Sequence, residues 1–101
     1  MDLIVKVKEI KGTCSVYKVG DTFKLKDGYR FVSDFPLCMH SFAALLPHYN
    51  ALRISQADKW GLAGKADNTK AYIQCLDAYS YTDGGTAIFE IQKVSKKDKP
   101  T

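Results

Sequence analysis

The stretch PLCMHSFAALLPHYN, residues 36–50, decides how the chain is organised. Apolar and aromatic side chains recur along it, and just beyond it, at the spacing of one face of a helix. That stripe consists of Cys38, Phe42, Leu45, Tyr49 and Leu52, with Leu46 beside it. Pro47 interrupts the pattern, because proline lacks a backbone donor and clashes with the preceding turn of a helix. We therefore expect two short helices, residues 37–46 and 47–54, with a kink at Pro47.

The segments on both sides of this helical stretch alternate between apolar and polar residues, as half-buried strands do. Asp27-Gly28 is a strong hairpin signal between two of them. The alternating segments are residues 3–10, 22–26, 29–32, 70–76 and 86–94. Strands, then helices, then strands predict an α+β fold. In that fold, a mostly antiparallel sheet of four to five strands carries the proline-kinked helical segment on one face.

Length and composition indicate one folded domain. A chain of 101 residues with 46% hydrophobic residues can bury one modest core and is not a disordered chain. No apolar run approaches the roughly 18 to 20 residues that a membrane span needs. The chain begins with MDLIVKVKEIKG, which alternates like a strand and differs from a signal peptide, so we expect a cytoplasmic protein with no membrane partner. We predict a single domain over residues 1–94 and a flexible basic tail over residues 95–101.

The net charge of +4 is concentrated at the end of the chain. The tail has three basic residues, Lys96, Lys97 and Lys99, and one acidic residue, Asp98, so its net charge is +2. The remaining residues together also carry +2. No basic stripe with interleaved aromatic residues is visible, so the sequence predicts no nucleic-acid partner. A small-molecule ligand is one expected partner. A second copy of the chain is another, because small domains often gain stability by oligomerising.

The three cysteines, Cys14, Cys38 and Cys75, are the recurrent soft ligands of the chain. An odd number at wide spacing argues against a disulfide framework and favours reduced thiols in a reducing compartment. Each cysteine falls near the end of a predicted element, and element ends converge in α+β folds. The three thiols could therefore bind zinc or an iron–sulfur cluster. Plain core cysteines and a reactive thiol are the alternatives, because free cysteine is commonly buried.

His40 and Asp77 are the other candidate site residues. His40 is a candidate fourth metal ligand, but two residues on a regular helix point about 200° apart. Cys38 and His40 can therefore converge only if Cys38 precedes the helix. At the start of a helix, Cys38 would be favoured as a thiolate nucleophile. Asp77, two residues after Cys75, could act as an acid or base, or could instead organise a turn.

With these residues in view, the chain resembles a family of small, functionally uncharacterised bacterial and archaeal proteins. The resemblance spans residues 3–94 and rests on five segments: VKEIKGTC, YKVGDTF, LCMHSFAALLP, QCLD and TAIFEIQKV. It implies a shared site at Cys14, Cys38 and Cys75 and brings no substrate. Many family members have proline after the cysteine equivalent to Cys38 and histidine five residues beyond it. Here Met39 and Ala43 hold those positions, which weakens His40 as a ligand.

Together these observations lead to one hypothesis and three alternatives. The leading hypothesis is a cytoplasmic protein whose three cysteines bind a metal ion or an iron–sulfur cluster. The alternatives are a metal-free enzyme using a Cys38 thiolate with Asp77 or a histidine, a small-molecule binder using that thiolate, and an oligomerising module with structural cysteines. No motif in the sequence names a reaction.

Overall fold

The computed structural model describes residues 2–94, and the basic tail predicted over residues 95–101 lies outside them. Within this described part, five strands form one sheet in which every neighbouring pair is antiparallel. The strands are β1 (Asp2–Gly12), β2 (Thr22–Lys26), β3 (Arg30–Val32), β4 (Lys70–Gln74) and β5 (Gly85–Val94). Their order in the sheet is β3-β2-β1-β5-β4, so the two longest strands lie at its centre. The predicted α+β fold with a mostly antiparallel sheet is confirmed.

The register of the sheet follows from the alternation in the sequence. Val5 of β1 lies opposite Phe23 of β2 and Ile91 of β5, and Val7 lies opposite Phe89. Side chains of matching register point to the same side of a sheet, so these apolar residues form one continuous buried face. That face carries the core.

Two helices, α1 (Met39–Leu45) and α2 (Tyr49–Ile54), and a short 3-10 turn at Ala57–Trp60 bury side chains against the apolar face. A third helix, α3 (Tyr79–Thr82), lies against β1 and β5 and has no buried residue. Pro47 lies between α1 and α2, which confirms the predicted kink, and Leu45 and Leu52 of the predicted stripe are buried in the core. The four-residue α3 has no counterpart among the elements expected from the sequence. Among the described residues, no helix has the length and apolar character needed to cross a membrane.

Aromatic rings fill the centre of the core. Phe89 is fully buried and meets Tyr17 edge-on, with ring centroids 5.7 Å apart. Phe23 stacks on Tyr17 at 6.2 Å and contacts Phe89 edge-on at the same distance. Edge-to-face and offset pairs of this kind add stability beyond their buried area. The core therefore extends from the middle of the sheet to Tyr17, in the connection between β1 and β2.

The opposite face of the sheet carries a carboxylate that is nearly inaccessible. Glu90 is only 7% exposed, and its carboxylate accepts a 2.7 Å hydrogen bond from the Tyr72 hydroxyl. Lys8 and Lys70 each lie 3.6 Å from it. The hydrogen bond from Tyr72, helped by the two lysines, lowers the pKa of Glu90 below its ordinary value. Glu90 is therefore ionised in the folded protein.

Glu90→Gln should make the stability of the protein less sensitive to acid. A depressed folded-state pKa stabilises the protein above the unfolded pKa of about 4.3, and this stabilisation is lost as the pH falls through the folded pKa. We expect the variant to be about 1 kcal/mol less stable than wild type at pH 7, and this gap to be smaller at about pH 3. Urea unfolding at both pH values measures the gap. Glu9→Gln, at an exposed position of the same strand pair, is the control. A gap that stays constant with pH would contradict the prediction.

Candidate functional site

One cleft, of about 230 Å³, is lined by every site residue predicted from the sequence. Those residues are Cys14, Cys38, His40, Cys75 and Asp77. They come from separate parts of the chain: the β1–β2 connection, the beginning of α1, and the segment between β4 and β5. The fold brings these segments together where the end of β1 pairs with the start of β5, at Gly12 and Gly85.

Cys38 and His40 reach the same cleft because Cys38 precedes the helix. The backbone of Cys38 is extended, with φ −83° and ψ 133°, and α1 begins at Met39. The 200° separation expected within a regular helix therefore does not apply to this pair. Cys38 is partly buried and His40 is exposed. Cys38 thus precedes the helix, as the sequence requires if Cys38 and His40 are to reach one site.

A closed ring of hydrogen bonds fixes the backbone of Cys38. Its N–H donates to the Tyr17 hydroxyl oxygen at 2.9 Å, and its carbonyl accepts from the Ser41 hydroxyl at 2.7 Å. The two hydroxyl oxygens are also 2.7 Å apart. Because the Ser41 proton is used on the carbonyl, Tyr17 must donate to Ser41. Each donor in the ring is thus used once.

Tyr17 also contacts the segment that carries Cys14. Its backbone N–H donates to Cys14 Sγ at 3.3 Å, while its side chain is only 5% exposed. The pKa of the Tyr17 phenol is raised above its ordinary value, mainly by burial. The hydrogen bonds with Ser41 and Cys38 lower this pKa in part, and the electrostatic effect of the Cys38 and Cys14 thiols raises it. The phenol is therefore protonated at neutral pH, as the ring requires.

The sequence alone does not identify Tyr17 or Ser41 as part of the site. Ser41 gives one signal, because it is a polar residue inside an otherwise apolar helical stretch, and it is only 2% exposed. A hydroxyl buried in a helix needs a hydrogen-bond partner. Its partners, however, include a residue 24 positions away along the chain.

Cys75 is the most enclosed of the three thiol residues, with 8% of its surface exposed. Its N–H donates to the Ala87 carbonyl at 2.8 Å, and its carbonyl accepts from the Thr86 hydroxyl at 2.9 Å. Both partners are on β5, so the backbone of Cys75 is fixed to the sheet directly after the end of β4. The residue forms part of the wall of the cleft.

Asp77 organises the loop beside the cleft. Its carboxylate accepts a 2.6 Å hydrogen bond from the Thr82 hydroxyl, whose oxygen accepts from the Gly84 N–H at 3.1 Å. This is the turn role that the sequence offers for Asp77. One carboxylate oxygen is committed to the loop, and the role of Asp77 as an acid or base stays a prediction.

Glycines allow the backbones around the cleft to approach each other closely. A Cβ on Gly85 would overlap the carbonyl carbon and oxygen of Thr13 and would lie 2.7 Å from the Cys14 nitrogen. A Cβ on Gly12, whose φ is +76°, would overlap the Gly84 carbonyl oxygen. The two glycines therefore set the position of the loop that carries Cys14.

The cleft lined by the three thiols is larger than a single ion needs. All three cysteines are free. Within residues 2–94, no group of three or more His, Cys, Asp or Glu side chains is arranged to hold a metal ion. The cleft of about 230 Å³ has room for several water molecules, each of which occupies about 30 Å³ in the liquid. A ligand of several atoms fits this volume.

No protein-family model, curated protein or solved structure matches this chain. The family resemblance carried by the cysteine motifs therefore stays a prediction.

Proposed function

We propose that the protein binds a small, thiol-reactive molecule in the three-cysteine cleft, with Cys38 as the principal contact. The observation that carries this proposal is that all three cysteines, together with His40 and Asp77, line one cleft of about 230 Å³. Cys14 and Cys38 are partly exposed and Cys75 is buried, so a ligand reaches the first two more readily. His40 on the same cleft supplies a group able to accept a proton from a thiol.

Alkylation with iodoacetamide near neutral pH tests this proposal. We expect Cys38 and Cys14 to be modified about ten times faster than Cys75, because thiol reactivity follows access as well as charge. Mass spectrometry of peptides after timed quenching gives the three rates separately. The same chain in urea is the control and should show three similar rates. Equal, slow modification of all three thiols in the folded protein would overturn the proposal.

A metal or iron–sulfur centre is the second candidate, favoured by the arrival of three cysteines from three separate segments at one cleft. Cys14, Cys38 and Cys75 would be the ligands, with His40 available as a fourth. Three thiolates and an open position suit a cluster better than a single zinc ion in a space of this size. Bound iron and acid-labile sulfide in anaerobically purified protein would support it. Their absence, together with normal folding of each Cys→Ser variant, would rule it out.

Two further expectations accompany the proposal. We place the protein in the cytoplasm, supported by the three free cysteines, because reducing compartments keep thiols unpaired. A homo-oligomer stays a prediction. Its clearest surface is β3 at the edge of the sheet, where Phe31 and Val32 are partly exposed. Light scattering over a range of concentrations measures the oligomeric state.

A further inference from the structure

Tyr17 is hydrogen-bonded to both partly exposed cysteines, to Cys14 through its backbone and to Cys38 through its side chain. Its backbone N–H donates to Cys14 Sγ at 3.3 Å, and its hydroxyl accepts from the Cys38 N–H at 2.9 Å. Cys14 and Cys38 lie on separate segments of the chain, 24 residues apart. Through these contacts one residue links both segments across the cleft.

The side chain that makes this link is held on every side. Phe23, Phe35 and Phe89 surround the Tyr17 ring, at centroid distances between 5.7 and 6.2 Å. Its hydroxyl belongs to the closed ring with Ser41 and the Cys38 peptide. No buried side-chain nitrogen or oxygen in the described part of the chain lacks a hydrogen-bond partner. Loss of that hydroxyl leaves the Cys38 N–H and the Ser41 oxygen without this partner.

We infer that Tyr17 is a positioning residue that holds Cys14 and Cys38 at a fixed separation, so that one ligand contacts both thiols. The ligand class is then a soft molecule that bridges two thiols. This inference rests on the proposed function and deepens it, because it names the pair of thiols that acts together. Cys75 is fixed to β5 by two hydrogen bonds, neither of which involves Tyr17.

Cross-linking with bis-maleimidoethane tests the pairing. In the wild-type chain we expect a Cys14–Cys38 cross-link, identified by mass spectrometry of the joined peptides. Tyr17→Phe keeps the aromatic packing and removes the hydroxyl, and it should lower the cross-link yield at least about five-fold. Single modification of Cys75 by N-ethylmaleimide should not change. Ser41→Ala should reproduce the loss, and the double variant should add little, because both changes break the same ring.

Tyr72→Phe is the matched control. It also removes one phenol hydroxyl, which donates to Glu90 on the opposite face of the sheet, and it should leave the cross-link yield at the wild-type level. Equal yields in Tyr17→Phe and Tyr72→Phe would overturn the inference. A wild-type chain without the cross-link would overturn it as well.

Amide hydrogen exchange separates this inference from the proposed function. Tyr17→Phe should speed the exchange of the Cys38 N–H by about ten-fold or more, because that group loses its acceptor, whereas Tyr72→Phe should not. Slow alkylation of Cys14 and Cys38 in the wild type, combined with this selective change in exchange, would reject the proposed function and leave the role of Tyr17 standing. Unchanged exchange at Cys38 would reject that role, whatever the thiol reactivity.

Discussion

Gly85→Ala is expected to lower the free energy of unfolding by about 3 kcal/mol, one of the largest losses that a single added methyl group produces. Gly85 begins β5 and pairs with Gly12 at the end of β1. The new Cβ would overlap the Thr13 carbonyl and would lie 2.7 Å from the Cys14 nitrogen. These neighbours are backbone atoms, so no side chain can rotate away to make room. The loop carrying Cys14 has to separate from β5.

Gly20→Ala provides the control for this prediction. Gly20 has a φ of +98°, which strains any other residue, but a Cβ added there would have no neighbouring atom within 4 Å. We expect it to cost about 1 kcal/mol through backbone strain alone. Urea unfolding of both variants compares a backbone clash at Gly85, which has no positive φ, with a positive φ at Gly20, which has no clash. The Gly85 variant should also alkylate faster at Cys14. Equal stabilities of the two variants would show that the close approach is not needed.

The strands were predictable because their signal is local. Apolar residues alternate with other residues at Leu3, Val5 and Val7, and this alternation determines which side of β1 is buried. The pattern is the same whichever strands pair with β1. The break at Pro47 was predictable for the same reason, since proline ends a helix by its own covalent structure. Such features depend on a residue and its nearest neighbours along the chain.

The geometry of the cleft was not predictable in the same way. The cysteines could be singled out by residue type, whereas the ring through Tyr17 and Ser41 joins residues 21 and 24 positions apart. No pattern along the chain encodes such a contact. Asp83-Gly84-Gly85 is a sequence typical of a turn, whereas the approach of Gly85 to Thr13 depends on the pairing of β1 with β5.

His40 shows how a sound local argument depends on an element boundary. The 200° argument required Cys38 to be helical, but its extended backbone places it just before α1. The hydrogen bond from its N–H to Tyr17 holds it in that position. A long-range contact thus accompanies the helix boundary, and the boundary decides that His40 and Cys38 share a cleft.

Phe89→Ala is expected to lower the free energy of unfolding by about 3 to 5 kcal/mol, the usual cost of truncating a buried phenylalanine. Phe89 is fully buried on a central strand and contacts the rings of Tyr17 and Phe23. Domains of this size are typically stable by only about 5 to 15 kcal/mol. The variant should therefore melt well below the wild type, by roughly 15 to 30 °C.

Phe89→Ala should also loosen the cleft. The aromatic ring of Phe89 packs edge-on against that of Tyr17 and so supports the Tyr17 hydroxyl in its hydrogen bond with Ser41. Phe89→Leu fills most of the space and should cost about 1.5 kcal/mol or less, which makes it the matched control. Calorimetry or urea unfolding gives both stabilities, and exchange of the Cys38 N–H reports the cleft. Faster exchange in the alanine variant than in the leucine variant, under conditions where both remain folded, would connect the core to the cleft. Equal exchange in the two variants would show that the hydrogen-bonded ring holds Cys38 without support from Phe89.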